Sequence, residues 1–207
     1  MSVKVKICGI TNLPDAQAAA EAGADALGFV FYEQSPRGIT IDAAAKITRA
    51  LPMEILKVGV FVNAPEAEVF QAITQCGLNL LQFHGDEPPE YCLRFGLMSM
   101  KAMRMRDAQS LETLRRYKTD AWLLDSWSAD KLGGTGETFD WELAAEARKS
   151  GPLVFLAGGL TAENVAEAIG RVKPFAVDVS SGVEQSPGRK DGAKMAAFIR
   201  AAKTAEA

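Results

Sequence analysis

Short apolar segments alternate with helix-prone segments along the whole of this 207-residue chain. The predicted strands are 3–8, 26–31, 56–62, 80–83, 99–103, 121–124, 153–156 and 175–179, and the predicted helices are 15–22, 41–51, 65–75, 88–95, 108–117 (a helix or an irregular crossover), 141–149, 162–172 and 192–203. Repeated strand–helix units require parallel strands joined by right-handed crossovers. Eight such units with no linker between them predict one α/β domain over 1–207, a closed (β/α)8 TIM barrel.

An open, doubly wound sheet is the alternative fold for such a repeat. That fold normally carries a GxGxxG turn after its first strand, where a dinucleotide phosphate binds. The first strand here is followed by the letters GITN instead. The sequence therefore favours the closed barrel.

Composition and charge exclude several classes of function. A net charge of −3 gives no general attraction to nucleic acid or to anionic lipid. No apolar run reaches the roughly 20 residues that span a bilayer, and Lys4 and Lys6 interrupt the pattern of a signal peptide. We therefore expect a small-molecule partner, with no nucleic acid and no membrane.

The cysteines and the histidine bear on location and on metal chemistry. Cys8, Cys76 and Cys92 are widely spaced, which predicts reduced thiols in the cytoplasm rather than a disulfide framework. The single histidine, His84, excludes a multi-histidine metal centre, and no CxxC pair is present to hold zinc. We expect neither a metal nor a cofactor.

Cys8 lies at the carboxyl end of the first strand, on the face that it shares with Lys4 and Lys6. Cationic neighbours favour the thiolate, which is the form of sulfur that takes up protons. The alternative is a small residue that fills a strand end. Because the working face of a (β/α)8 barrel is formed by the carboxyl ends of its strands, this position makes Cys8 a candidate catalytic residue.

Other polar residues are predicted at the same rim. Asp125 ends an apolar strand, where a carboxylate is costly without partners; its alternative is a cap or a salt bridge. Asp178 alternates with two valines and is expected to point into the barrel. Arg37 could hold a carboxylate through two hydrogen bonds or be a solvated loop cation. His84 either lines the site as a substrate-binding residue or makes a hydrogen bond within the core.

Two glycine-containing loops follow the last two strands, at Gly158-Gly159 and at Ser180-Ser181-Gly182. Loops at these positions form the recurrent phosphate site of such barrels, because backbone N–H groups can approach an anion there. Taken singly, each loop could be an ordinary turn. Together they predict a phosphate site. The glycine-rich 133–136 segment is either a lid over the site or a plain linker.

These groups allow a particular kind of chemistry. A thiolate and a carboxylic acid on opposite strands can move protons on both sides of a small substrate. The combination fits an internal isomerisation of a phosphorylated compound. A covalent cysteine hydrolase is less favoured, because His84 is the only possible partner base.

Eight motifs, in order along most of the chain, resemble the phosphoribosylanthranilate isomerase family of tryptophan biosynthesis. They are KICGIT at 6–11, SPR at 35–37, VGVFVN at 58–63, QFHG at 82–85, LLD at 123–125, GGTG at 133–136 with FDW at 139–141, LAGGL at 156–160 and DVSSGVE at 178–184. Phe83 stands where the family more often has Leu, and the family's fifth helix is often irregular. A related sugar-phosphate isomerase of histidine biosynthesis carries Asp at the position of Cys8, so Cys8 argues against that family.

The resemblance implies an Amadori rearrangement of N-(5-phosphoribosyl)anthranilate to 1-(2-carboxyphenylamino)-1-deoxyribulose 5-phosphate. It implies that Cys8 is the general base at C2 and Asp125 the general acid at the ring oxygen. It also implies that Arg37 binds the anthranilate carboxylate, that Asp178 lies near the anthranilate nitrogen, and that the two glycine loops bind the phosphate.

Two other functions compete with this interpretation. A non-catalytic sugar-phosphate-binding barrel would keep the glycine loops, but it would not need both Cys8 and Asp125. A barrel subunit whose activity requires a partner enzyme is the second alternative. The sequence is compatible with a monomer or a homodimer.

Overall fold

The computed structural model describes residues 2–126 and 141–205. Eight parallel strands form a closed barrel in which each strand pairs with the next and β8 pairs with β1. The strands are β1 Lys4–Cys8, β2 Ala26–Phe31, β3 Leu56–Phe61, β4 Leu80–Phe83, β5 Met98–Met105, β6 Ala121–Ser126, β7 Leu153–Leu156 and β8 Ala176–Val179. The predicted (β/α)8 fold is confirmed, and the alternative of an open, doubly wound sheet is wrong.

Seven helices cover the outside of the described barrel. They are α1 Leu13–Glu21, α2 Ile41–Arg49, α3 Glu66–Cys76, α4 Ala108–Leu114, α5 Trp141–Arg148, α6 Val165–Val172 and α7 Gly192–Thr204. Several of these helices have a side-chain N-cap. The side-chain oxygens of Asn12, Thr40, Asp107 and Asp191 each accept a hydrogen bond from a backbone N–H in the first turn of their helix. The fifth crossover, which could have been irregular, is helical (α4).

The helix predicted over 88–95 is wrong, because the structure has only a 3-10 turn there, Tyr91–Leu93. Tyr91 and Phe95 pack their rings on Phe83, with centroid distances of 5.6 Å each. The Tyr91 hydroxyl also donates to the carbonyl of Ala64. Aromatic packing therefore takes the place of a regular helix on this side of the barrel.

A second short turn, Ser181–Val183, and an antiparallel pair of strands, β9 Glu184–Ser186 and β10 Arg189–Lys190, follow β8. The sequence did not predict them, because two- and three-residue polar strands carry no measurable alternation. They bring Glu184 and Lys190 to the carboxyl end of the barrel.

Side chains of alternate strand residues fill the inside of the barrel. The apolar members are Ala26, Val58, Leu80, Met100, Ala102, Ala121, Leu123, Phe155, Ala157 and Ala176. Val5 and Ile7 of β1 pack instead in the cluster beneath the helices. On β1 the inward face therefore carries Lys6 and Cys8, and Cys8 is the inward residue nearest the carboxyl end.

Candidate active site

The structure places four predicted site residues at one rim of the barrel. Cys8 ends β1, His84 directly follows β4, Asp125 lies near the end of β6 and Asp178 lies in β8. The strands of Cys8 and Asp125 are separated by β7 and β8 in the closed ring. The thiol and the carboxylate therefore face the same opening from different strands.

Cys8 is nearly buried, with 8% of the residue exposed. It pairs in register with Gly28 of β2, and a β-carbon at Gly28 would lie only 2.8 Å from the Cys8 sulfur. Burial raises the pKa of Cys8 above its ordinary value even though Lys6 lowers it. Desolvation therefore outweighs the cationic neighbours that favour the thiolate, and the neutral thiol is favoured in the resting protein.

Lys6 and Asp178 form an ion pair inside the barrel. Lys6 Nζ donates to Asp178 Oδ1 at 2.7 Å, and the Lys6 side chain is completely buried. Burial disfavours the ammonium, but the charges of Asp178 and Cys8 outweigh burial and raise the pKa of Lys6. Asp178 thus points inward, as its alternation with Val177 and Val179 predicts, and Lys6 joins the candidate site.

His84 makes a hydrogen bond with a core residue and also lies beside Asp125 at the rim, while its role in substrate binding stays a prediction. Its Nδ1 lies 3.0 Å from Nε2 of the buried Gln82, and its Nε2 lies 3.8 Å from Asp125 Oδ2. Burial and the charge of Lys6 lower the pKa of His84 to about 4, so the imidazole is neutral at pH 7. With Nδ1 accepting from the Gln82 amide, the hydrogen of the imidazole is on Nε2 and faces Asp125.

Arg37 is held by a residue that the sequence analysis did not single out. Arg37 Nε and Nη2 donate to the two carboxylate oxygens of Glu184 at 2.8 and 2.7 Å. These hydrogen bonds raise the pKa of Arg37. The Arg37 side chain is about a quarter exposed. Arg37 is therefore an oriented cation rather than a solvated loop residue.

The two predicted phosphate loops lie against each other. A β-carbon at Gly182 would come within 2.2 Å of the Leu160 carbonyl oxygen, so only glycine allows this approach of the β8 loop to the β7 loop. Gly158 and Gly159 have positive φ of 86° and 63°. Lys190 Nζ donates to the Ser180 carbonyl at 3.1 Å. Lys190 thus places a positive charge beside the Ser180-Ser181-Gly182 segment.

The end of β1 also contacts these groups. A β-carbon at Gly9 would meet Arg37 Cδ at 2.7 Å and Ser180 Oγ at 3.2 Å. Arg37, Ser180 and Cys8 therefore belong to one continuous wall of the opening.

Arg104 is a further rim residue that the sequence analysis missed. It is exposed, pairs in register with Asp125, and continues the inward face of Met100 and Ala102 on β5. Its charge contributes to the lowered pKa of His84. The fifth strand was predicted to end at residue 103, so the sequence analysis did not place Arg104 on its inward face.

The described residues allow limits to be placed on other kinds of site. Within 2–126 and 141–205, no three His, Cys, Asp or Glu side chains are grouped so that they could hold a metal ion. In the same residues no helix has the length and apolarity to cross a membrane. The candidate lid at 133–136 lies outside the described residues.

Comparison with known proteins identifies the family. A family model described as N-(5'phosphoribosyl)anthranilate (PRA) isomerase matches residues 5–201. The chain belongs to this family. It is accordingly an isomerase of tryptophan biosynthesis, and the enzyme class expected from the sequence is confirmed.

Known relatives are similar to this chain over almost its full length. The N-(5'-phosphoribosyl)anthranilate isomerase of Geobacter sulfurreducens is 56% identical over 201 residues, which are 97% of this chain and 98% of that protein. The Thermotoga maritima phosphoribosyl anthranilate isomerase structure superposes with a TM-score of 0.92 at 44% identity, covering 97% and 98% of the two chains. A second T. maritima structure shows monomers generated from a dimeric enzyme (TM-score 0.87, 42% identity, 97% and 98% covered).

A third solved isomerase of this family is in complex with reduced 1-(o-carboxyphenylamino)-1-deoxyribulose 5-phosphate. It is 41% identical, with a TM-score of 0.88 and coverage of 97% and 98%. Members of the PRA isomerase family thus include a protein that binds a phosphorylated analogue, and both dimeric and monomeric forms are known among them.

Proposed function

We propose that this chain converts N-(5-phosphoribosyl)anthranilate to 1-(2-carboxyphenylamino)-1-deoxyribulose 5-phosphate, with Cys8 as general base and Asp125 as general acid. The observation that carries the proposal is the order of groups around the rim. Asp125 on β6 and Cys8 on β1 flank β7 and β8, and the loops after β7 and β8 are the two glycine loops that contact each other. A phosphate held by those loops lies between the acid and the base.

The proposed reaction needs only proton transfers. Asp125 protonates the ring oxygen as the C1–O bond breaks, and the anthranilate nitrogen lone pair forms a C1=N bond. The Cys8 thiolate then removes the C2 proton; the C2–H electrons form C1=C2 and the C1=N electrons return to nitrogen. The resulting enol becomes the ketone by gaining a proton at C1 and losing one from its hydroxyl, so no cofactor is required.

The remaining groups bind the substrate in this proposal. The free edge of Arg37 takes the anthranilate carboxylate, and its pairing with Glu184 favours a fixed orientation. Asp178 lies near the anthranilate nitrogen and His84 lines the pocket beside Asp125. The phosphate is bound by the two loops, through Gly158, Gly159, Ser180, Ser181 and Gly182.

We also propose that the chain forms a single domain, acts in the cytoplasm as a monomer or homodimer, and uses neither nucleic acid nor metal. Three free cysteines without a disulfide support the location. The dimeric and monomeric forms of the T. maritima relative support either oligomeric state.

The test is an assay of the purified chain alone with N-(5-phosphoribosyl)anthranilate, followed by the change in fluorescence on conversion. We expect turnover without any added protein. Binding without turnover would support the non-catalytic sugar-phosphate barrel instead, and turnover only after addition of a second pathway protein would support the dependent subunit. Loss of substrate binding after changes in the 158–159 and 180–182 loops would support the phosphate site.

A further inference from the structure

The ion pair between Lys6 and Asp178 is unusual for its location. The inside of a (β/α)8 barrel is normally filled by apolar side chains, and most of the inward residues here are apolar. Lys6 is completely buried and Asp178 is 8% exposed. Taking two charges out of water is costly, and apolar residues of similar volume often replace a buried pair without loss of stability. Fold stability alone therefore does not explain the pair.

The pair lies against the sulfur of Cys8. Lys6 and Cys8 are two residues apart on the same face of β1, and both approach Gly28 of β2. The point where a Gly28 β-carbon would lie is 2.8 Å from Cys8 Sγ and 3.2 Å from Lys6 Nζ. The ammonium carries three hydrogens and gives one to Asp178, so it can still donate to the sulfur. The missing side chain of Gly28 is what lets the two atoms share this space.

We propose that Lys6 is a positioning residue that stabilises the Cys8 thiolate, and that Asp178 limits this effect by sharing the charge of Lys6. The inference rests on the proposed function only in giving the thiolate a use as the base. Lys6 itself transfers no proton in this scheme. It holds a fixed positive charge where the negative charge of the sulfur develops.

The charged groups around Cys8 come from four parts of the chain. Lys6 on β1, Lys190 on β10 and Arg37 after β2 are cations, and Asp178 on β8 is the anion that opposes them. Burial raises the pKa of Cys8 most, and Lys6 is the strongest of the groups that lower it. Removal of Lys6 should therefore change the pKa of the Cys8 thiol more than removal of Lys190 or Arg37.

The test measures the sulfur directly and without substrate. In a Cys76→Ala, Cys92→Ala background, Cys8 is the only cysteine of the chain, and its alkylation by iodoacetamide is followed against pH, since only the thiolate reacts. At pH 8, Lys6→Met should slow alkylation by about tenfold or more, because an opposite charge within ~4–6 Å changes a pKa by roughly 1–3. Asp178→Asn should speed it.

The opposite signs separate an electrostatic role from a structural one. A looser barrel would expose the sulfur and speed alkylation in both variants. Lys101→Met is the matched control: it removes a buried lysine that is paired with Glu87 at 2.9 Å elsewhere on the barrel. Its alkylation profile should match that of the parent, with each variant first shown to be folded by circular dichroism.

Three results would overturn the proposal: an unchanged profile in Lys6→Met, a faster reaction in both variants, or an equal slowing in Lys101→Met. If Lys6→Met does not fold, Asp178→Asn is compared with Lys101→Met instead. The proposal is then overturned if Asp178→Asn does not speed alkylation, or if Lys101→Met speeds it equally. Failure of the proposed function is a separate result, because turnover retained by Cys8→Ala would remove the base without altering the alkylation data.

Discussion

Arg37 and Glu184 form a two-point ion pair, with Nε–Oε1 and Nη2–Oε2 distances of 2.8 and 2.7 Å. Lys190 binds the same carboxylate at 2.9 Å, so the short β9–β10 pair is tied to the loop after β2. A guanidinium fixed at one edge presents its other edge in a defined direction. In the proposed function, Glu184 would therefore orient the edge of Arg37 that binds the anthranilate carboxylate.

Glu184→Gln should therefore raise KM by about tenfold and change kcat much less. The expected loss of about 1.4 kcal/mol corresponds to a ground-state contact that is weakened when Arg37 is no longer held by charge. Steady-state kinetics measure the effect. Glu167→Gln, which removes an exposed carboxylate 3.6 Å from Arg171 on α6, is the control and should leave both constants unchanged. A fall confined to kcat would contradict this role.

The same carboxylate should make stability depend on pH. Burial alone would raise the pKa of Glu184, but hydrogen bonds from Arg37 and Lys190 outweigh burial and lower it below its ordinary 4.5. The stabilisation is therefore present above about pH 4.5 and is lost as the pH falls through the lower, folded-state pKa. Urea unfolding should show that wild type exceeds Glu184→Gln in stability at pH 7, by an amount that shrinks below pH 4.5. A gap that stays constant with pH would exclude this linkage.

Arg37→Ala should raise KM more than Glu184→Gln does, because it removes the cation itself, whereas Glu184→Gln only weakens the contacts that orient it. Binding of anthranilate alone, measured by calorimetry, should weaken in parallel, which separates the carboxylate contact from the phosphate contact. An unchanged KM would make Arg37 a structural partner of Glu184 and no more.

Cys8→Ala should lower kcat by roughly 10²–10⁴-fold, the usual contribution of a general base, and leave binding of a product analogue nearly intact. Binding by calorimetry beside single-turnover kinetics gives both quantities. Cys76→Ala, at a buried thiol whose pKa burial raises to about 11, is the matched control and should keep normal kcat. Activity retained by Cys8→Ala would assign the base elsewhere.

Asp125→Asn should lower kcat to a similar extent, since the amide keeps the shape of the side chain and cannot donate a carboxylic proton. His84 Nε2 lies 3.8 Å from Asp125 Oδ2, so the same measurement on His84→Gln reports whether the neighbour only positions Asp125. A modest loss in Asp125→Asn, with a large one in His84→Gln, would reassign the acid.

Local patterns in the sequence predicted most of the barrel and the rim position of its polar residues. Alternation on β1 was enough to place Cys8 with Lys6, and on β8 it was enough to turn Asp178 inward. The partner of Arg37 could not be predicted, because Glu184 reaches it only through a hairpin of a few polar residues. The protonation state of Cys8 could not be predicted either, because the sequence shows its cationic neighbours but not the burial that outweighs their effect on its pKa.

Gly28 offers a test of how tightly Cys8, the proposed base, is packed. A β-carbon there would lie 2.8 Å from Cys8 Sγ and 3.2 Å from the Cys8 α-carbon. The backbone contact cannot swing away, so Gly28→Ala must displace β1 or the sulfur. We expect a fall in kcat of about 10²-fold, as a 1 Å misplacement can produce, together with some loss of stability.

Gly170→Ala is the matched control for this change. Gly170 lies within α6, and a β-carbon there meets nothing within 4 Å outside the neighbouring backbone of its own helix. Alanine in a helix interior should be more stable than glycine by roughly 0.5–1 kcal/mol, with kcat unchanged. If Gly28→Ala kept full kcat, the space shared by Cys8 and Lys6 would not be required for turnover, and the close packing around the sulfur would be a feature of folding alone.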